Sequence, residues 1–184
     1  MNEGVIASRY AKALLKDVVE TGSGDKVYSQ ACVLGLRLLE VRQLRYFIEN
    51  NAELSMERKI ELLRSAAGED LYPELVDFVR LVTDRRRMDC FSRMLYHFIA
   101  LYRKAMNIKV GRVITAAPVD GLKERLESLF HQRTGSRVHI VEKISPEILG
   151  GFVFEMDGYR LDASVENQFR RIRRQLIDKN NRIV

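Results

Sequence analysis

The chain has 184 residues, 46% hydrophobic and 30% charged, with a formal net charge of +6. That length suits one domain or two small ones with a real core, and only 3 Pro and 11 Gly argue against long disordered linkers. No apolar run approaches the roughly 20 residues needed to span a bilayer, and Met1-Asn2-Glu3-Gly4-Val5 has neither the basic start nor the apolar stretch of a secretory signal.

The first half reads as helices joined by short loops. Ile6, Tyr10, Leu14 and Val18 recur at i+4 steps with Ala13 beside them, so residues 5–20 form a helix with one apolar face. Thr21-Gly22-Ser23-Gly24 breaks it. A second helix starts near Asp25, expected to cap it, and carries Val27, Ala31, Leu34, Leu38 and Val41. Tyr46-Phe47-Ile48 closes a short helix. Ser55 reads as the cap of the next, which holds Ile60, Leu62 and Leu63 and ends at Gly68. Pro73 suits the first turn of a helix striped with Leu75, Phe78, Val79 and Val82. A last helix follows Arg85-Arg86-Arg87 and spaces Met94, Phe98, Leu101 and Tyr102 for burial. Residues 1–106 therefore predict a bundle of about six helices.

The texture changes at Asn107, and residues 107–184 predict a small α+β domain, so the fold class is mostly α. Lys109 to Ala116 is rich in β-branched residues and reads as a strand stopped by Pro118. Asp120 is expected to cap a helix with Leu122, Leu126, Leu129 and Phe130, closed by Gly135. Val138 and Ile140 alternate on a second strand. Phe152–Met156 and Tyr159–Asp162 flank Asp157-Gly158, a two-residue hairpin signal in which both central residues take positive φ. Ser164 caps a final helix whose apolar line, Val165, Phe169, Ile172 and Leu176, is expected to face the core.

Candidates for chemistry are few. Gly150-Gly151 precedes a strand, and no G-x-G-x-x-G or G-x-x-x-x-G-K-[ST] pattern occurs, so the pair reads as a tight turn rather than a nucleotide cradle. His97, His131 and His139 lack zinc-ligand spacing, and Cys32 and Cys90 read as buried, reduced thiols of a cytosolic protein. Ser164 near Asp162 lacks the G-x-S-x-G elbow of a hydrolase and reads as a cap. No cofactor is expected. Arg170, Arg171, Arg173 and Arg174 form the one notable charge cluster. They suit a solvated helix face, a dock for an acidic helix, or phosphate contact by a nucleic-acid-binding regulator, which is the alternative class. The stripe Tyr10, Ala13 and Leu14 reads as core, or as a slot for a partner helix where Ala13 is small.

Three segments carry a family resemblance. Ala7-Ser8-Arg9-Tyr10-Ala11-Lys12-Ala13-Leu14-Leu15 resembles the R-Y-A-x-A-L opening of the delta subunit of F-type ATP synthase, the oligomycin-sensitivity-conferring protein family. Residues 93–119, ending in Val113-Ile114-Thr115-Ala116-Ala117-Pro118-Val119, resemble its junction between bundle and C-terminal domain. Ile148-Leu149-Gly150-Gly151 through Asp157-Gly158 to Asp162-Ala163-Ser164-Val165 resembles its most distinctive motif, with Ala163 where the family often has Gly.

The resemblance implies a non-catalytic stator subunit, one copy per complex, joining the catalytic head to the peripheral stalk while proton-driven rotation makes ATP. It implies that residues 1–106 hold the N-terminal helix of an alpha subunit in a groove between the first and fifth helices. On this chain that groove corresponds to Tyr10, Ala13 and Leu14 facing Phe78, Val79 and Val82. Residues 107–184 then meet the b subunits, with Arg170, Arg171, Arg173 and Arg174 suited to acidic helices. Gly150, Gly151, Asp157, Gly158, Asp162 and Ser164 have structural roles in the motif. No nucleic acid is expected. Membrane contact is only indirect, at the cytoplasmic face of the bacterial inner membrane.

Overall fold

The computed structural model describes residues 3–51 and 54–180. The chain divides into two compact units, Met1–Ala105 and Met106–Val184.

The first unit holds α1 (Glu3–Thr21), α2 (Gly24–Glu40), α3 (Arg42–Glu49), α4 (Met56–Ala67), α5 (Pro73–Asp84) and α6 (Phe91–Ala105), with a 3-10 turn at Met88–Cys90. Helix α6 is the hub. Its Phe91, Met94, Leu95, Phe98 and Tyr102 are all buried, and α1 and α2 pack along it. Fully burying each such side chain stabilises the fold by about 1.5–3 kcal/mol. Tyr102 stacks on Tyr28 with ring centroids 4.9 Å apart, and its hydroxyl donates to Asp25 Oδ1 at 2.9 Å. Asp25 is therefore spent on a tertiary hydrogen bond. The N-cap of α2 is Ser23, and no side-chain cap forms there, contrary to the expectation for Asp25. Ser55 does cap α4, accepting from Arg58 N at 3.3 Å, and Pro73 opens α5.

Gln30 fixes where α5 begins. It is buried in α2, and its Nε2 donates to Glu69 Oε1 at 2.9 Å and to the Asp70 carbonyl at 2.8 Å. Its Oε1 accepts from the N–H of Tyr72, the N-cap of α5, at 3.0 Å. Every hydrogen-bonding direction of this amide that could be left costly is used.

The second unit orders its strands β2-β1-β3-β4. Strand β1 (Ile108–Thr115) runs parallel to β2 (Arg137–Ile144), the crossover being α7 (Leu122–Thr134), and antiparallel to β3 (Phe152–Met156). Strand β4 (Tyr159–Asp162) completes the hairpin, followed by α8 (Val165–Asn180). Asp157 and Gly158 both have positive φ, 51° and 82°, as the type I′ turn requires. Val113, Val138 and Ile140 form the small core, covered by Leu122, Leu126 and Phe130 of α7, and Phe130 stacks on Phe154 at 4.8 Å. The cap of α7 is Gly121 at φ 69°, with no side-chain hydrogen bond, so Asp120 does not cap it.

Exchanging Gln30 for the near-isosteric Met leaves the Tyr72 N–H and the Asp70 carbonyl unmet. A loss of about 2–3 kcal/mol is expected. It is measured as a lowered urea midpoint of the full chain, and an unchanged midpoint would show that this amide does not tie α2 to α5.

Candidate functional site

Helices α1 and α5 each commit one side to the core: Ile6, Ala7, Ala11, Leu14 and Val18 from α1, and Leu75, Phe78, Val79 and Val82 from α5. Their flanks meet at a cleft of about 390 Å³ lined by Ala13, Leu14, Asp17, Glu74, Asp77, Phe78 and Leu81. Leu14 and Phe78 are buried and form the floor, and Phe78 is backed by the Phe91 ring of α6 at 6.2 Å. Ala13 is exposed, and its short side chain leaves the opening above them.

Of the six groove residues expected from the resemblance, Ala13, Leu14 and Phe78 come together in this lining. Val79 and Val82 lie in the core, and Tyr10 is half-buried outside the lining. Asp17, Glu74, Asp77 and Leu81 went unnoticed in the sequence. The signal existed: positions 74, 77, 78 and 81 share one helix flank at i, i+3, i+4 and i+7. A search for apolar stripes finds the face toward the core, whereas this cleft lies on the flank beside it.

The cleft is acidic. Glu74 is held below the ordinary carboxyl range first by the Ser23 hydroxyl and then by its own N–H, against the opposing effect of burial. Its Oε2 is buried and has no hydrogen-bond partner among the described residues. Asp77 pairs with Arg80 at 3.2 Å, an exposed contact of little energetic weight.

In the second unit, Gly150, Gly151, Asp162 and Ser164 bind the start of α8 to the sheet. Val165 N donates to the Gly150 carbonyl and Ala163 N to the Phe152 carbonyl, both at 3.0 Å. Gly151 has φ 72°, and a Cβ there would lie 2.3 Å from the Ala163 carbonyl oxygen, so only glycine fits. Ser164 Oγ accepts from Asn167 N at 3.2 Å and donates to Asp162 Oδ1 at 2.6 Å. This buried, doubly engaged hydroxyl caps α8, as the sequence predicts.

Beyond its first turn α8 departs from expectation. Phe169 and Ile172 are 61% and 52% exposed rather than turned into a core, and the side chain of Leu176 lies outside the described ones. The helix packs on the 3-10 turn Pro146–Ile148, which is too short to cover four turns. Arg170 pairs with Glu166 one turn back, while Arg171, Arg173 and Arg174 are exposed with no ion pair among the described residues. The hairpin adds Tyr159 and Leu161, also exposed.

The described residues thus define a class: a two-unit, mostly helical protein with a small four-stranded sheet, a cleft between α1 and α5 and an exposed amphipathic α8. The chain belongs to the ATP synthase delta (OSCP) subunit family, whose model matches residues 6–176. It is similar to the ATP synthase subunit delta of Phocaeicola vulgatus, 42% identical over 183 residues and covering 98% of each chain. It is also similar to that of Bacteroides fragilis, 36% identical over 187 residues and covering 100% of each. A chain in the cryo-EM structure of the Toxoplasma gondii mitochondrial ATP synthase hexamer shares its fold, with TM-score 0.60, 21% identity, and 96% of this chain and 98% of that one covered. The protein is accordingly a stator component of the F-type ATP synthase, a structural subunit of a membrane-associated complex. No helix among the described residues is long and apolar enough to cross a membrane.

The Asp162 carboxyl is held below the ordinary Asp value, first by the Ser164 hydroxyl and then by its N–H, with Arg160 assisting. The fold therefore favours the ionised form. This stabilisation is fully present above the ordinary value of about 3.9 and is lost as pH falls through the lower folded value. In urea unfolding, Asp162→Asn is expected to be less stable than the native chain at neutral pH, with the difference vanishing in strong acid. A difference that persists there would assign the effect to something other than the carboxylate charge.

Proposed function

We propose that this chain joins the catalytic head to the peripheral stalk at the cytoplasmic face of the membrane, without catalysing a reaction itself. In this reading the α1–α5 cleft holds the N-terminal helix of an alpha subunit. The second unit holds the C-terminal ends of the b subunits, and one copy serves each complex. The linkage keeps the head from turning with the rotor, so that proton flow is coupled to ATP synthesis.

The observation that carries the reading is the cleft itself. It has an apolar floor of Leu14 and Phe78, an opening above Ala13, and walls drawn from one flank each of α1 and α5. An amphipathic helix laid in such a groove gains affinity from apolar anchors shielded by a polar rim. The C-terminal part of the reading is supported by α8, where exposed Phe169 and Ile172 stand among four arginines. An apolar line bordered by cations suits acidic amphipathic helices better than bare solvent.

Calorimetric titration of the full chain with a synthetic N-terminal peptide of the cognate alpha subunit tests the first contact. One-to-one binding is expected, and Ala13→Trp, which fills the opening from an exposed position, is expected to weaken it at least about tenfold. Binding indifferent to Ala13→Trp would place the peptide elsewhere.

The second contact predicts that neutralising Arg170, Arg171, Arg173 and Arg174 to Gln weakens binding of a soluble b-subunit segment. The loss should be several-fold larger at low than at high salt, because exposed charges are screened within about 8 Å at physiological ionic strength. Pull-down or calorimetry at two salt concentrations reads this out. Equal loss at both would remove electrostatics from the contact.

A further inference from the structure

The charge of the cleft runs against that of the chain. The protein carries +6 overall, yet among the described residues the cleft is walled by Asp17, Glu74 and Asp77, with no lysine or arginine in its lining. Helix α1 has no basic residue in its last turn, where the helix dipole would favour one. It places Asp17 just before that turn and Glu20 within it, and Glu20 is already paired with Lys16 at 3.6 Å. Glu74, by contrast, sits in the first turn of α5, where a carboxylate is favoured, and is held ionised there. The Ser23 hydroxyl, its own N–H and the Thr21 hydroxyl support that charge, while its Oε2 is buried with no hydrogen-bond partner among the described residues. The cleft therefore sets carboxylates beside an apolar floor, a pattern that a cation next to an apolar anchor complements.

We infer that the cleft selects a helix presenting a lysine or arginine one turn from its apolar anchor, seating the cation among Asp17, Glu74 and Asp77. This rests on the cleft being the dock of the alpha-subunit helix, and it specifies what that helix must carry. Leu14 and Phe78 take the anchor, and a side chain three or four residues along the same face reaches the carboxylates. Arg80, half-exposed and held to Asp77 by a single surface contact, gives way to the incoming cation at little cost. The three carboxylates also repel acidic helices, so the same residues exclude partners meant for the arginine face of α8.

The test titrates the full chain with the cognate alpha N-terminal peptide, and with the same peptide having every Lys and Arg replaced by Gln, at about 50 mM and about 500 mM NaCl. The cognate peptide is expected to bind about tenfold more tightly at low salt, and the Gln peptide to lose that advantage. Asp17→Asn with Asp77→Asn, both at exposed positions, should abolish most of the salt dependence, and Glu74→Gln should weaken binding at both salts. Salt-independent cognate binding, or an unchanged slope in the Asp17→Asn/Asp77→Asn variant, overturns the inference while leaving the cleft as the docking site. No cognate binding at either salt, or binding unaffected by Ala13→Trp, overturns the docking reading and the inference with it. Sedimentation of the chain alone closes the remaining alternative: concentration-dependent dimers sensitive to Asp17→Asn/Asp77→Asn would assign the cleft to the basic α8 of a second copy and overturn the inference.

Discussion

The seating of α1 against α6 is the constraint on which the rest of the bundle depends. Phe91, Met94, Leu95, Phe98 and Tyr102 form an unbroken buried face, and α1 answers with Ala7 and Ala11 as well as Leu14 and Val18. The small residues let the two helices approach closely, and the large ones fill what remains. Once α1 is fixed, its contact with α5 fixes the cleft, because Phe78 reaches back to Phe91 while its edge stays in the lining. A floor held by the core costs little ordering on binding, which is where a docking groove gains over a flexible one.

The second unit is built on a thinner margin. Its sheet has one face covered by α7, and α7 itself contributes no fully buried side chain. What holds α8 in place is a short set of backbone constraints: the Gly150 carbonyl, the left-handed Gly151 against Ala163, and the Asp162–Ser164 cap. These fix the direction in which α8 leaves the sheet without covering its sides. An amphipathic helix anchored only at its N-terminus keeps its apolar line available, and the exposure of Phe169 and Ile172 is the direct result.

Local chemistry was the most legible part of the sequence. Helical periodicity disclosed the six helices of the bundle, Ser55 and Ser164 declared the caps of α4 and α8, and Asp157-Gly158 declared the hairpin, because each signal is contained within a few residues. The misses involve partners distant in sequence. Asp25 could not be known to serve Tyr102, 77 positions away, and so was read as a cap. Asp120 lost its expected role to Gly121, whose positive φ starts α7 by a different backbone route. Periodicity identified the apolar line of α8 correctly as a pattern, but a pattern does not say whether the chain supplies the surface that covers it. The cleft shows the same limit from the other side. Ala13, Leu14 and Phe78 could be named from a resemblance, whereas the carboxylates that give the cleft its sign emerge only when two helices are placed together.

That sign gives the cleft and α8 opposite local charge, although residues 1–105 and 106–184 are both net positive. Asp17, Glu74 and Asp77 crowd one groove, while Arg170, Arg171, Arg173 and Arg174 crowd one helix. In the proposed reading the chain grips two helical partners at once, and apolar anchors alone discriminate poorly between amphipathic helices. Opposite charge at the two surfaces would supply the discrimination, because a helix suited to one is repelled by the other. In that reading the charge also acts before contact, since electrostatic steering works over distances at which apolar faces exert no pull. Affinity would then reside mainly in Leu14, Phe78, Phe169 and Ile172, and identity in the charges around them.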